Sequence, residues 1–277
     1  YKRQREIELN TADATTLLLA EGDSFFHVPT LEEFFPAPIL FEGTFFEFNR
    51  IQLVRLVIMA AVLIFMCVVA SRARLVPGRV QSAVELLIDF VDKQIVVNTL
   101  GEKDGKRFAP WLIMIFFLIL TMNLGFMVPG LNMSGTAVIG IPLLLALATF
   151  VIYVVSGIRE HGVGGYLRNQ TMPPGVPGIM YVLLVPIELL QVLVVRWASL
   201  TIRLLANMVG GHLIIAVLIG LTHALVISLN WLMAVSPFAI ALSLGVFAFK
   251  IFVAALQAFI FTILSAVYIQ MAIADEH

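Results

Sequence analysis

Long apolar segments, separated by short polar stretches, make up most of this sequence. Twenty helical residues rise about 30 Å, which is the thickness of the hydrocarbon core of a bilayer. Apolar runs of this length therefore predict membrane-spanning helices. We predict five of them, at residues 51–70, 108–128, 137–158, 179–228 and 237–274.

The fourth of these segments is unusually long. Between Ile187 and Ser236 the sequence contains no proline. A straight helix of about 50 residues would extend roughly 75 Å, more than twice the bilayer core. The sequence therefore predicts either a break near Gly210-Gly211 or Gly220, or a strongly tilted helix.

Residues 80–100 have a different pattern. Glu85, Asp89 and Lys93 recur at helical spacing among apolar residues such as Val84 and Val91. One polar and one apolar stripe are typical of a helix that lies in the membrane surface. We predict such a surface helix here, and a soluble connector helix is the alternative.

Residues 1–50 are acidic and contain several prolines, which predicts a polar arm with at most short helices. Basic residues place it outside the cytoplasm, because they concentrate in the loop 71–107 and after residue 158 but are missing from 129–136 and 228–237. The acidity of the arm either concentrates protons near an entrance or only keeps the arm solvated.

Composition excludes several classes of protein. Of the 277 residues, 60% are hydrophobic and only 13% charged, whereas a soluble domain has about a quarter charged residues. No basic cluster with interleaved aromatic residues indicates nucleic-acid binding, and no Gly-rich loop indicates nucleotide binding. The single Cys67 excludes a disulfide framework and a thiolate metal site. We predict an all-α, multi-pass membrane protein in contact with lipid, with no metal and no cofactor.

Arg203 is the most informative residue of the sequence, because it stands within the long apolar segment. An arginine keeps its charge, and at bilayer depth that charge costs about 2.5–3.5 kcal/mol on insertion scales. Such a residue indicates a function that requires a permanent positive charge within the apolar part of the membrane. At 100° per residue, Arg203 shares a helix face with four other polar residues: Glu188, Arg196, Ser199 and Asn207.

Other polar residues of the apolar segments have ordinary alternatives. Arg196 either pairs with Glu188 or extends to the cytoplasmic interface. His212 points away from the Arg203 face, and is either a hydrogen-bonded packing residue or a proton carrier. On the last helix Lys250 and Gln257 share a face, and the Gln257 amide is suited to hold Arg203 without neutralising it.

Two motifs resemble subunit a of the F-type ATP synthase. The first is Ser-Leu-x-x-Arg-Leu-x-x-Asn-Met-x-x-Gly-His at residues 199–212, and the second is Leu-Gln-Ala-Phe-Ile-Phe-Thr-Ile-Leu-Ser-Ala-Val-Tyr-Ile at residues 256–269. Pro77-Gly78-Arg79 and Met122-Asn123-Leu124 also fit. The resemblance covers roughly residues 50–277. Within the family, the sequence is most similar to the form found in high-GC Gram-positive bacteria.

The resemblance implies a fold and a function. The fold would combine a surface helix, a transmembrane hairpin and a long, tilted C-terminal hairpin in the plasma membrane, or alternatively in the mitochondrial inner membrane. The chain would stand beside a rotating c-ring, with b-type peripheral stalk subunits and other ATP synthase subunits as partners. It would conduct protons through two half-channels separated by Arg203, and would not itself be an enzyme.

The resemblance also implies roles for the polar residues. Asn207 and Gln257 would orient Arg203, and His212 would belong to the external half-channel. Ser199, Glu188 and Tyr268 would face the cytoplasmic half-channel, and Asn123 matches a polar position of the family.

Two positions depart from the family pattern. Lys250 replaces a usual acidic or histidine residue, so it either gates the external channel by its charge or is accommodated by water. Trp197 replaces a frequent proline, which predicts a straighter helix before Arg203.

Two functions from other classes remain open. A secondary transporter would bind an anionic substrate with Arg203, although the internal repeats typical of such proteins are not found in the sequence. A structural assembly subunit would use its buried charges only for packing.

Overall fold

The computed structural model describes residues 38–40, 48–72, 77–127, 136, 138–172, 177–227 and 231–274. Most of the predicted N-terminal arm lies outside these residues. Its described part forms two short strands, β1 (Pro38–Leu40) and β2 (Phe48–Asn49), which pair antiparallel. The sequence did not predict these strands.

The rest of the described chain is almost wholly helical, as predicted. Four helical stretches are long and apolar enough to cross a membrane, and Leu56–Val69 is a shorter apolar helical segment. The fold is thus that of a multi-pass helical membrane protein. Its helices are α1 (Arg50–Ser71), α2 (Arg79–Val91), α3 (Asn98–Leu124), α4 (Gly140–Thr171), α5 (Tyr181–Leu190), α6 (Arg196–Ile227) and α7 (Ser236–Ile273).

Two glycines mark sharp changes of direction within these helices. Gly101 (φ 75°) interrupts α3, and Gly162 (φ 71°) interrupts α4. Glycine adopts positive φ without a steric penalty, which explains the residue type at both turns. The polar stretch after residue 158 is helical on both sides of Gly162. The predicted surface helix is helical from Arg79 and reaches its turn at Gly101.

The long fourth segment does not break at its glycines. Helix α6 continues through Gly210, Gly211 and Gly220, so the predicted break there is wrong. Instead, a π-helical segment, Gln191–Val195, joins α5 to α6. A second π-helical segment, Asp92–Val97, joins α2 to α3. The tilt of the C-terminal hairpin stays a prediction.

The described residues divide into two compact units. The main unit comprises Pro36–Val209 and Ile251–His277, and the small unit comprises Gly210–Lys250. The core of the main unit is formed by inward-facing residues of α3, α4 and α7, among them Leu112, Ile115, Tyr153, Phe261 and Ile269. Within the small unit, a hydrogen bond of 3.0 Å joins the hydroxyls of Thr222 on α6 and Ser243 on α7.

The close approach of α4 and α7 yields a first prediction. A methyl group at Gly157 would lie 2.8 Å from the Ala272 carbonyl oxygen and would overlap the Tyr166 ring. We expect Gly157→Ala to lower the free energy of unfolding by about 1–3 kcal/mol, the usual cost of overpacking. The thermal unfolding temperature of the detergent-solubilised chain would measure it. Gly164→Ala, where no atom lies within 4 Å, is the control and should be neutral or stabilising.

Candidate functional site

Arg203 lies on the exposed side of α6. The helix packs into the main unit through Leu200, Leu204 and Met208, which are at most 2% exposed. Within the part of the chain that the structure describes, the Arg203 guanidinium has no hydrogen bond and no ion pair. A permanent charge is therefore presented outward from an apolar helix, available to a group on another molecule.

One turn further along α6, Asn207 bonds to α7. Its Nδ2 donates a hydrogen bond of 2.6 Å to Oε1 of Gln257. Gln257 is 2% exposed, and its Nε2 has no hydrogen-bond partner among the described residues. The sequence suggested Gln257 as a partner of Arg203, but its observed partner is Asn207. The pair fixes the facing sides of α6 and α7 beside Arg203.

Arg196 occupies a wholly different environment from Arg203. It is 3% exposed, its Nη1 donates a hydrogen bond of 3.0 Å to Oε1 of Gln170, and no ion pair to Glu188 is formed. The guanidinium carbon lies 5.9 Å from the ring centroid of Tyr153 and 5.5 Å from that of Tyr268. Both alternatives from the sequence, the pair with Glu188 and extension to the interface, are therefore wrong.

Helices α4 and α7 close around this arginine. Nε2 of Gln170 donates a hydrogen bond of 2.7 Å to the Met271 carbonyl, and the Tyr153 hydroxyl donates one of 2.8 Å to the Val192 carbonyl in the π-helical segment. The sequence did not identify Gln170 and Tyr153 as site residues. The only signal for them was that an arginine in an apolar segment requires hydrogen-bond acceptors or aromatic faces.

The predicted cytoplasmic-side residues lie around Arg196 or near the π-helical segment. Tyr268 contacts Arg196 through its ring, and the Ser199 hydroxyl donates to the Arg196 carbonyl at 3.1 Å. Glu188 on α5 is half-buried and has no hydrogen bond or ion pair with the residues described. The π-helical segment lies between Glu188 and Arg203, so the angle between their side chains differs from that in a regular helix.

Asn123 is fully buried on α3. Its Oδ1 accepts a hydrogen bond of 2.6 Å from the Thr136 hydroxyl, and its Nδ2 donates one of 3.4 Å to the Ala254 carbonyl on α7. Ala254 lies one turn before Gln257. The structure therefore places Asn123 where it fixes the position of α7 near the Asn207–Gln257 pair.

The remaining predicted residues belong to the small unit. His212 is half-buried, whereas Lys250 is 6% exposed. Gly211 lies beside the Lys250 side chain, because a methyl group at Gly211 would be in van der Waals contact with Cε of the lysine at 3.5 Å. The sequence reasoning missed a groove in this unit that is lined by His223 together with the bonded Thr222 and Ser243.

The comparisons with known proteins identify the family. The family model described as "ATP synthase A chain" matches residues 53–270. The chain belongs to this family. The "ATP synthase subunit a" of Rhodococcus erythropolis is 37% identical over 270 residues, covering 96% of both chains. That of a Parafrankia species is 34% identical over 269 residues, covering 94% of this chain and 88% of the relative.

A third relative, the "ATP synthase subunit a" of Frankia alni, is 38% identical over 208 residues, which cover 74% of this chain and 71% of the relative. The predicted similarity to the form of high-GC Gram-positive bacteria is thus confirmed. As a subunit a family member with four helices long enough to span a membrane, the chain is a multi-pass protein of the plasma membrane. It is a subunit of the ATP synthase complex.

Proposed function

We propose that this chain conducts protons through the membrane sector of an F-type ATP synthase, with Arg203 facing the carboxyl groups of a rotating c-ring. The observation that carries the proposal is the outward-facing guanidinium of Arg203, which has no ion-pair partner in the described part of the chain. Its position on the exposed side of α6 suits contact with a ring. Membership of the ATP synthase A chain family supports the same function.

The charge of Arg203 accounts for the coupling of ion flow to rotation. A ring carboxylate beside the guanidinium is stabilised in its ionised form by an opposite charge within a few ångströms. When the ring carries this carboxylate into lipid, it must first take up a proton, because an isolated carboxylate there is very costly. Arg203 also repels a proton that would pass directly between the two half-channels. Protons therefore cross only when the ring rotates.

Two groups of polar residues would form the half-channels. Glu188, Ser199 and Tyr268 would line the cytoplasmic half-channel, and His212 and Lys250 the external one. In this assignment Lys250 acts through its positive charge rather than as an acidic relay. The burial of Lys250 and its position beside Gly211 support this assignment.

Three further residues would position the charge rather than carry protons. The bond between Asn207 and Gln257 would hold α7 against α6 beside Arg203. Asn123 would fix α7 from the other side through the Ala254 carbonyl. The chain itself would catalyse no hydrolysis, and its partners would be the c-ring, the b-type stalk subunits and the remaining subunits of the complex.

The Asn207–Gln257 bond offers a test of this function. Asn207→Leu removes the donor and leaves the Gln257 amide buried without a partner, which costs about 1–3 kcal/mol. We expect ATP-driven proton uptake by inverted membrane vesicles to fall about tenfold, the factor that corresponds to about 1.4 kcal/mol. The amount of assembled complex should stay unchanged.

Asn98→Leu is the matched control for this substitution. Asn98 is exposed and bonds only locally to the Gln94 carbonyl, so the rate of proton uptake should match the wild type. A wild-type rate in the Asn207→Leu complex would contradict the role assigned to the pair. A reduced rate in both variants would indicate a general effect of the substitution.

A further inference from the structure

A groove of about 760 Å³ lies in the main unit between α1, the first turns of α2 and the last turns of α3. Its volume is within the range of ligand-binding pockets. The lining side chains are apolar except for Arg79 and Thr121. We call this feature the α1–α3 groove. It lies apart from Arg203 and from the residues assigned to the half-channels.

The α1–α3 groove is elongated along α1. Its lining runs from Ile58, which packs against Met122 of α3, to Met66, which packs against the core cluster that contains Val84 and Phe117. The eight residue steps from Ile58 to Met66 correspond to about 12 Å along the helix axis. The shape is that of a slot for an extended hydrocarbon chain.

Among the described residues, one cation borders this slot. Arg79, in the first turn of α2, is exposed and has no hydrogen bond or ion pair with any residue that the structure describes. The carboxylates of α2 have other partners. Glu85 accepts a hydrogen bond of 2.7 Å from Gln81, and Asp89 pairs with Lys93 at 2.9 Å. The Arg79 guanidinium is therefore available for an anion, and its geometry suits a phosphate.

We propose that the α1–α3 groove binds one anionic phospholipid, with the headgroup phosphate at Arg79 and an acyl chain between α1 and α3. Charge complementarity favours this occupant, because an apolar slot bordered by an unpaired guanidinium matches the two parts of such a lipid. Phospholipid also surrounds any protein that spans a membrane. The apolar helix of another subunit would fill the slot but would leave Arg79 without a counter-ion. This inference is independent of the proposed proton pathway.

Photolabelling of the complete ATP synthase complex in phosphatidylcholine vesicles tests the proposal. The two probes are phosphatidylglycerol and phosphatidylcholine, each with a photoreactive acyl chain, and mass spectrometry locates the label. One basic residue near a membrane surface contributes a preference of about fivefold for an anionic lipid. We therefore expect the walls of the groove, around residues 58–66 and 117–125, to take up about five times more label from phosphatidylglycerol.

Substitutions make the test specific. Arg79→Gln should bring the ratio of the two probes close to one, and 0.5 M salt should lower it in the wild type. Lys103→Gln, which removes another exposed basic residue, should leave the ratio unchanged. Ala61→Trp retains Arg79 but narrows the slot, so labelling of the α3 wall by both probes should fall.

Several results would overturn the proposal. Equal labelling by the two probes in the wild type, or an unchanged ratio in Arg79→Gln, would show that no anionic lipid is selected. Absence of label from the groove, together with cross-linking of an Ala83→Cys variant to another subunit, would assign the groove to a protein helix. None of these readouts depends on proton transport, so they leave the function of Arg203 to be judged separately.

Discussion

Arg203→Ala is expected to abolish ATP-driven proton uptake by inverted vesicles while the complex still assembles. Assembly should persist because Arg203 is exposed and contributes no hydrogen bond or ion pair to the described part of the chain. Transport should stop because a ring carboxylate beside α6 would lose the charge that keeps it ionised. Proton uptake is measured by the quenching of a pH-sensitive dye, and assembly by the amount of subunit a in the purified complex.

The passive proton leak of the same vesicles tests the second role of Arg203. Without the guanidinium, nothing would repel a proton that passes between the half-channels, so the leak through the membrane sector should rise. Arg159→Ala is the matched control, since Arg159 is an exposed arginine outside the long apolar segments. Uptake at the wild-type rate by the Arg203→Ala complex would refute the proposed mechanism and would favour a structural role for the charge.

The sequence predicted the positions of the helices well, because each long apolar run has the length of a membrane span. It also singled out Arg203 from the cost of a charge in an apolar segment, and the structure gives this residue no partner within the described part of the chain. Periodicity could not distinguish Arg203 from Arg196, since seven residues separate them and place both on nearly the same face. The two arginines differ in burial. Side chains of α4 and α7 bury Arg196, whereas Arg203 is exposed.

The two π-helical segments could not be predicted from the sequence. A projection at 100° per residue assumes an uninterrupted α-helix, but Gln191–Val195 contains one residue more than a regular turn. The angle between Glu188 and Arg203 could therefore not be read from the sequence, because the composition of this stretch is that of any apolar helix. The turns at Gly101 and Gly162 were not predicted either, because positive φ cannot be inferred from a glycine alone.

The environment of Arg196 is energetically unusual. A buried cation normally has a carboxylate partner, yet no acidic residue of the described chain pairs with Arg196. Its charge is offset by the Gln170 carbonyl oxygen and by the faces of Tyr153 and Tyr268. Each cation–π contact contributes about 0.5–2 kcal/mol, depending on how well it is shielded from water. Loss of the single hydrogen bond to Gln170 should therefore lower the free energy of unfolding more than loss of either ring contact.

Removal of the two partners of this bond should have unequal effects on stability. Gln170→Leu leaves a buried guanidinium without its oxygen acceptor, and we expect it to lower the free energy of unfolding by about 3 kcal/mol. Arg196→Met removes the charge itself and keeps apolar contact with both rings, so its effect should stay within about 1 kcal/mol. The double variant should resemble Arg196→Met, because no unpaired charge remains in it.

Thermal unfolding of the detergent-solubilised chain measures these differences. About 3 kcal/mol corresponds to a fall of roughly 6–12 °C in the unfolding temperature for a domain of this size. Gln94→Leu, at an exposed glutamine, controls for the change of residue type. Equal losses of unfolding free energy in Gln170→Leu and Arg196→Met, with no further loss in the double variant, would contradict this prediction. They would mean that the hydrogen bond, and not the buried charge, determines the effect on stability. We expect unequal losses of stability because Gln170→Leu leaves the charge of Arg196 buried without its acceptor, whereas Arg196→Met removes that charge.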